Sequence, residues 1–414
     1  MIINKFGGAS IKDLQALEQM VSICKTQIHQ GVIVVSAMGK MTNLLEMLTI
    51  NYVNGQPFET FLNEFVSFHQ TFLNKLFEPN HLVFSHFQEL IHTLETKLSK
   101  KPGLNFDFEY DQIVPFGELV SSRIVHAYQN LKGVQSQWVD IRNVLKTDAT
   151  YREGNVDWVL TTGLVSKQFN NFSGQLYLTQ GFIGSDRNGL MTTLGREGSD
   201  FTAAILANCL DAEKVVVWKD VPGIMCADPD WIPNADKIEK LSYTDAIELS
   251  YYGAKVIHPK TIKPLQNKSI PLQVRSFYDL ENQGTLIAAF DNLVLAPVYI
   301  KKEKQVLVSI RPNDLSFIME ENLSHIFGIL AKHQIRVNLM QNSAISFSIT
   351  VDTNMDRVPN AIEELKKHYE VKYNEPLELI TIRHHKPDAE RLVTVNREVL
   401  LEQRSRSVAR FVLR

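Results

Sequence analysis

The sequence predicts an open, mainly parallel α/β sheet held between helices and followed by smaller α+β modules. Three observations predict it. Over the first 290 residues, short apolar runs alternate with helical patterns, the signature of strand–helix–strand units. Beyond Pro297 and the charged stretch Lys301–Lys304 the order becomes β-α-β-β-α-β, a split βαβ arrangement. The length of 414 residues suits two or three domains at ~150 residues each.

Ile2–Lys5 reads as a strand running into Gly7-Gly8, and Ser10 with Asp13 reads as a capping box. Leu14, Leu17, Val21, Cys24 and Ile28 then recur at helical spacing on one face. Gly31 opens a buried strand, Val32–Val35, which ends at Ser36-Ala37-Met38-Gly39-Lys40. A right-handed crossover leaves both glycine corners at the same carboxyl edge, where open α/β sheets bind ligands. Residues about 44–100 read as a helical insertion, broken near Asn54-Gly55 and Pro79-Asn80. Its His69, His81, His86 and His92 are not spaced to share a helix face, so they are read as surface or half-buried side chains rather than metal ligands.

Further strands are expected at Trp138–Ile141, Leu176–Ile183, Val215–Trp218, Leu272–Arg275 and Thr285–Ile287. In the C-terminal part, strands are expected at Val306–Ile310, Arg336–Met340 and Ile345–Val351. Helices are expected around Leu323–Leu330 and Pro359–Tyr369. The tail is read as strands Leu379–Arg383, Leu392–Val395 and Val408–Leu413 with one helix near Val399–Arg404. This divides the chain into 1–292, a module at 293–375, and half of a second module at 376–414.

Composition narrows the function. The 43 basic and 46 acidic residues leave a net charge of −3, which argues against a nucleic-acid or membrane-surface binder working by bulk charge. Three widely separated cysteines form neither a disulfide framework nor a zinc site. No uncharged apolar run approaches the ~18 residues of a membrane span, and the N-terminus lacks the apolar core of a secretion signal. A cytoplasmic protein is expected.

Three glycine-flanked corners carry the chemistry. Lys5-Phe6-Gly7-Gly8-Ala9-Ser10 sits at a strand-to-helix corner, where bare amides and a lysine can cradle phosphate oxygens. A tight turn with a solvated lysine is the plainer account. Gly195-Arg196-Glu197-Gly198-Ser199-Asp200 precedes an apolar helix; Arg196 can grip a carboxylate in bidentate fashion, while Ser199 and Asp200 stand where caps stand. Trp218-Lys219-Asp220-Val221-Pro222-Gly223 leaves a buried strand with a carboxylate that either holds a nucleotide or metal or fixes the turn.

Together with Ser36–Asn43, Phe116-Gly117-Glu118, Gln180-Gly181-Phe182, Asp220–Ile224 and Gly253–Pro259, these segments resemble the aspartokinases of the amino-acid kinase fold, over nearly the whole chain. The C-terminal part resembles the tandem ACT modules that follow such kinase domains. The resemblance implies transfer of phosphoryl from ATP, with Mg²⁺, to L-aspartate, giving 4-phospho-L-aspartate and ADP on the route to lysine, threonine and methionine. It implies that Lys5, Gly7 and Gly8 stabilise the transferring phosphoryl group and that Asp200 orients Lys5. Arg196, Ser199 and Thr42 would hold the substrate carboxylate, Glu118 its ammonium group, and Phe182 would line the pocket. Ser36, Lys219, Asp220 and Lys255 would belong to the ATP side; no residue is assigned as a metal ligand. A homodimer through the ACT-like modules and an amino-acid effector are further implications.

Several positions depart from the family pattern. Ala9 lacks a usual hydroxyl, Glu197 replaces a common glycine, Met225 stands where a tyrosine is frequent and Asp230 where an arginine is. Asn338 and Ala344 replace acidic residues of lysine- or threonine-sensing members. Two other readings therefore stand beside the first: a weakened amino-acid-sensing paralogue, and a kinase of another small carboxylate.

Overall fold

The computed structural model describes residues 1–169, 174–254, 257–291, 293, 295–314 and 316–414. Its contacts divide the chain into two compact units. One holds 1–224, 237–247 and 256–292; the other holds 225–236, 248–255 and 293–414.

The first unit is built on an eight-stranded sheet. Its order is Lys240–Ser242, Thr285–Ala288, Leu272–Ser276, Lys214–Lys219, Ile2–Phe6, Gly31–Val35, Leu176–Gln180, Gln137–Val139. All neighbours are parallel except Leu272–Ser276 with Thr285–Ala288. The central strands read as unbroken apolar runs because helices cover both faces. Gly31–Val35 and Leu176–Gln180 are buried along their whole length.

The strand Ile2–Phe6 lies between the next strand in sequence, Gly31–Val35, and the much later Lys214–Lys219. The chain thus leaves to one side and later returns to the other, a switch point that opens a crevice at the carboxyl ends of the strands. Register places those ends level, with Phe6 beside both Val35 and Trp218, and Val35 beside Gln180. Phe6 and Trp218 stack with ring centroids 5.8 Å apart, and the Trp218 indole N–H donates to Asn4 Oδ1 at 3.1 Å.

Four local expectations are corrected in this unit. Ser10 is no cap: it belongs to a 3-10 turn, Gly8–Ile11, and its hydroxyl points to the Trp218 carbonyl, while Asp13 alone caps the helix Leu14–Gln27. The strand expected at Trp138–Ile141 stops at Val139, because Asp140 caps a 3-10 turn over Ile141–Asn143. Leu176–Ile183 is broken at Gly181-Phe182 into Leu176–Gln180 and Ile183–Ser185. The insertion folds as helices Met41–Val53, Glu59–Leu76 and Val83–Leu98. In it His69 is wholly buried, with its ring among Phe65, Phe68 and Phe87. Burial lowers this imidazole to about 4, so it is neutral and part of the core.

The second unit is a six-stranded antiparallel sheet in the order Val337–Asn342, Phe347–Asp352, Val298–Pro312, Tyr369–Arg383, Val408–Leu413, Val399–Arg404. Helices Glu320–Lys332 and Arg357–Lys366 complete the β-α-β-β-α-β order, packing Ile326, Ile329, Ile362 and Leu365 on Val306, Val308 and Ile349. The charged run Lys301–Lys304 is no break. It lies inside the 15-residue strand Val298–Pro312, where the register against Tyr369–Arg383 shifts.

The tail reverses two expected elements. Leu392–Val395 is not a strand but the end of a helix, Pro387–Thr394, which opens on proline with Asp388 and Glu390 in its first turn and buries Ala389 and Val393. Val399–Arg404, expected as a helix, is a strand paired with Val408–Leu413 through a turn held by Ser405. Cross-strand pairing decided there over helical propensity.

Candidate active site

The loops leaving four level strand ends supply the site. Lys5 is the penultimate residue of the central strand, flanked by Val34 and Val217 and 9% exposed. Its ammonium group lies 2.6 Å from Asp200 Oδ1, and Lys219 Nζ lies 4.0 Å from Oδ2 of the same carboxylate. Burial pushes the Asp200 carboxyl up, but the Lys5 and Lys219 ammonium groups outweigh that and hold it below the usual carboxylate range. Breaking such a buried pair by removing one partner costs about 3–5 kcal/mol.

Asp200 is in the first turn of the helix Gly198–Cys209, so neither it nor Ser199 is the cap. That position is taken by Glu197, in left-handed conformation at φ 54°. This explains why glycine would be relaxed there. The Glu197 carboxylate is turned to the backbone N–H of His258 at 2.9 Å.

The glycines admit close approach rather than mere flexibility. A Cβ on Gly8 would stand 2.7 Å from the Ala37 carbonyl and 2.9 Å from that of Gly39, so the Lys5–Ser10 corner touches the Ser36–Lys40 loop backbone to backbone. A Cβ on Gly181 would stand 2.5 Å from Ser199 Cβ. Gly7 adjoins Lys5, with its absent Cβ 3.4 Å from Nζ. Phe182, at φ 70°, is fixed by its N–H to Thr202 Oγ1 at 2.9 Å.

Ser36 donates to Ser199 Oγ at 2.9 Å, joining the Ser36–Lys40 loop to the helix start. Glu118 is 2% exposed; its Oε1 accepts from Ala37 N–H at 3.1 Å, and Oε2 has no hydrogen-bond partner. Burial raises this carboxyl to about 8, against the pull of the Ala37 amide and Lys5. With no counter-charge in contact, it is mostly protonated at pH 7.

The structure thus gathers Lys5, Gly7, Gly8, Ser36, Glu118, Phe182, Ser199, Asp200 and Lys219. Arg196 adjoins them on the turn before Ser199; it is exposed and pairs with no carboxylate among the described residues. Thr42 is half-buried in the first turn of the helix after the Ser36–Lys40 corner, without a direct link to the others. Asp220 is exposed just beyond Lys219. Lys255 lies outside the described residues. Among those residues no three His, Cys, Asp or Glu side chains converge as a metal cage.

Sequence reasoning missed Ser121, whose hydroxyl donates to the Ser36 carbonyl at 2.6 Å, and Thr202. Ser121 follows Glu118 by three positions on one helix face, a spacing that could have pointed to it.

The model of the amino acid kinase family matches residues 1–276. Lysine-sensitive aspartokinase 3 of Escherichia coli (strain K12) is 33% identical over 361 residues, covering 85% of this chain and 78% of that one. Aspartokinase 1, chloroplastic, of Arabidopsis thaliana is 27% identical over 388 residues, covering 88% and 67%. Among solved structures, E. coli aspartokinase III in complex with lysine and aspartate (T-state) gives a TM-score of 0.85 at 27% identity, covering 100% of this chain and 95% of that one. The same enzyme in complex with aspartate and ADP (R-state) gives 0.82 at 28% identity, covering 100% and 96%.

Proposed function

The chain belongs to the amino acid kinase family, on its aspartokinase branch, and we propose that its site transfers the γ-phosphoryl group of ATP to the side-chain carboxylate of L-aspartate. The observation that carries this reading is the buried Lys5–Asp200–Lys219 charge cluster at the glycine corner. A carboxylate of pKa ≈ 3.9 is ionised at pH 7 and needs no general base. The obstacle is repulsion, since two like charges 4 Å apart cost about 4 kcal/mol at an effective dielectric of 20. A site for this reaction must supply fixed positive charge rather than a proton acceptor.

Lys5, held by Asp200, lies where charge develops on the transferring group, beside the amides of Gly7 and Gly8. Lys219, Ser36, Asp220 and Lys255 serve the nucleotide. Arg196, Ser199 and Thr42 take the substrate α-carboxylate, Glu118 its ammonium group, and Phe182 closes the pocket wall. Asp200 is already engaged by two lysines and so is no free ligand. The residues therefore fit a Mg²⁺ that arrives on the phosphates of ATP, where it neutralises part of their charge.

The chain works in the cytoplasm; no helix among the described residues is long and apolar enough to cross a membrane. Two copies pair through the C-terminal antiparallel modules. There the Asn338 side chain is already taken, accepting from Lys302 Nζ at 2.8 Å and donating to Gln305 and Asp352. An effector's ammonium group therefore finds no free acidic side chain at position 338.

The test is product chemistry. Hydroxylamine should trap an acyl phosphate made from L-aspartate and ATP; absence of hydroxamate with aspartate, while another acidic amino acid gives it, overturns the substrate assignment.

A further inference from the structure

One buried carboxylate outside this constellation is surrounded by backbone donors. Asp111, on the helix Phe106–Ile113, is wholly buried. Its Oδ2 accepts from the backbone N–H groups of Arg152 at 2.9 Å and Thr193 at 2.8 Å; its Oδ1 accepts from Thr193 Oγ1 at 2.7 Å. The next residue acts in the same way: Gln112 Nε2 donates to the Met191 carbonyl at 2.8 Å, and its Oε1 faces the Met191 N–H at 3.3 Å. Two side chains of one helix thus satisfy the backbone of the short strand Met191–Thr193 as a neighbouring strand would.

That strand leads into Leu194, Gly195 and Arg196. The Arg152 carbonyl stands 3.1 Å from where a Cβ of Gly195 would be, backing the turn from behind. Arg152 itself has a left-handed backbone at φ 66°. Its guanidinium lies over the Tyr110 ring at 4.5 Å and within 3.4 Å of both Asp107 and Glu46. Glu46 is one turn beyond Thr42 on its helix. Seven residues after Asp111 in the chain comes Glu118.

We propose that Asp111 is a positioning residue that sets the spacing between Glu118 and Arg196, and so between the ammonium and carboxylate ends of the amino acid the site accepts. The inference rests on the aspartate-kinase reading and deepens it. A neutral asparagine cannot accept all three bonds, since one of its two ends is a donor. The two backbone donors cannot turn away; only the Thr193 hydroxyl can reverse its role. The loop bearing Arg196 would relax while the Lys5–Asp200 pair, on other elements, stayed in place.

The experiment compares the wild-type chain with Asp111→Asn and with Thr193→Val, which deletes only the Oγ1 bond. Loss of hydrogen bonds to a charged group should raise the aspartate KM about tenfold in Asp111→Asn, with the ATP KM within about twofold of wild type. Thr193→Val should move the same way by less. Discrimination between L-aspartate and L-glutamate, as a ratio of kcat/KM, should narrow in both. An unchanged aspartate KM overturns the proposal, as does a parallel rise in both KM values with a lowered melting temperature. Should Asp111→Asn not fold, Thr193→Val decides by the same criteria. Failure of the wild-type chain to phosphorylate aspartate is a different result: it removes the functional reading, and this inference with it.

Discussion

The two ends of the candidate site hold carboxyl groups equally buried but in different charge states, one ionised and one mostly neutral at pH 7. Asp200 and Glu118 are each 2% exposed. At the phosphate end, Asp200 meets Lys5 at 2.6 Å and Lys219 at 4.0 Å and stays ionised. At the end proposed for the amino acid, Glu118 has backbone amides and a more distant Lys5 but no counter-charge in contact, and burial raises it to about 8. Burial alone therefore decides nothing; the company of each carboxylate does. In the proposed reading, the phosphate end carries its own cations, Lys5 and Lys219. The proposed amino-acid end leaves Glu118 Oε2 without a hydrogen-bond partner, which suits the ammonium group assigned to it.

The sharpest way to break this contrast is at Lys5. Lys5→Ala should lower kcat by about 10²–10³-fold, because a fixed charge at the transferring group is lost. Wild-type turnover in a folded Lys5→Ala chain would remove the role given to that end. Next comes pH. With Glu118 near 8, only a minority is ionised at pH 7, and binding an ammonium partner requires the proton to leave. The aspartate KM should fall roughly eightfold from pH 7 to pH 8.5, with little change in the ATP KM. In Glu118→Gln the aspartate KM should be high and flat over that range.

Stability gives a smaller effect with a definite sign. The folded chain raises the Glu118 carboxyl from 4.5 to about 8, so the unfolded chain binds fewer protons between those values. Stability is fully present below about pH 4.5 and declines as pH rises towards 8. Thermal melts of the ligand-free chain should therefore show Glu118→Gln gaining on wild type at pH 8 relative to pH 5. The smallest expected effect is that of L-lysine on turnover, less than about twofold, because Asn338 is neutral and already hydrogen-bonded. Strong lysine inhibition would show that another group meets the effector's charge.

How far the sequence could be read differed along the chain. Val32–Val35 and Val215–Trp218 were legible because strands covered on both faces must be continuously apolar, and Lys5-Phe6-Gly7-Gly8 because its corner follows from a strand meeting a helix. Periodicity was silent on the contact between Lys5 and Asp200, which are remote in sequence; the family resemblance pointed to it. Ser199 and Asp200 looked like caps because a glutamate in left-handed conformation, Glu197, could not be foreseen ahead of them. The tail misled for a physical reason. Val399-Leu400-Leu401-Glu402-Gln403-Arg404 suits a helix locally, and only the Val408–Leu413 partner makes it a strand. Asp111 carried no visible signal, since its three donors come from two distant segments.

The meeting of Gly181 with Ser199 has an evolutionary consequence. Only a hydrogen atom fits between that loop and the start of the helix bearing Asp200. Position 181 offers no gradual path to a larger residue: even one added methyl must displace Ser199, the neighbour of Asp200. The tightest joint of the site is thus set by an atom that is missing, not by one that is present.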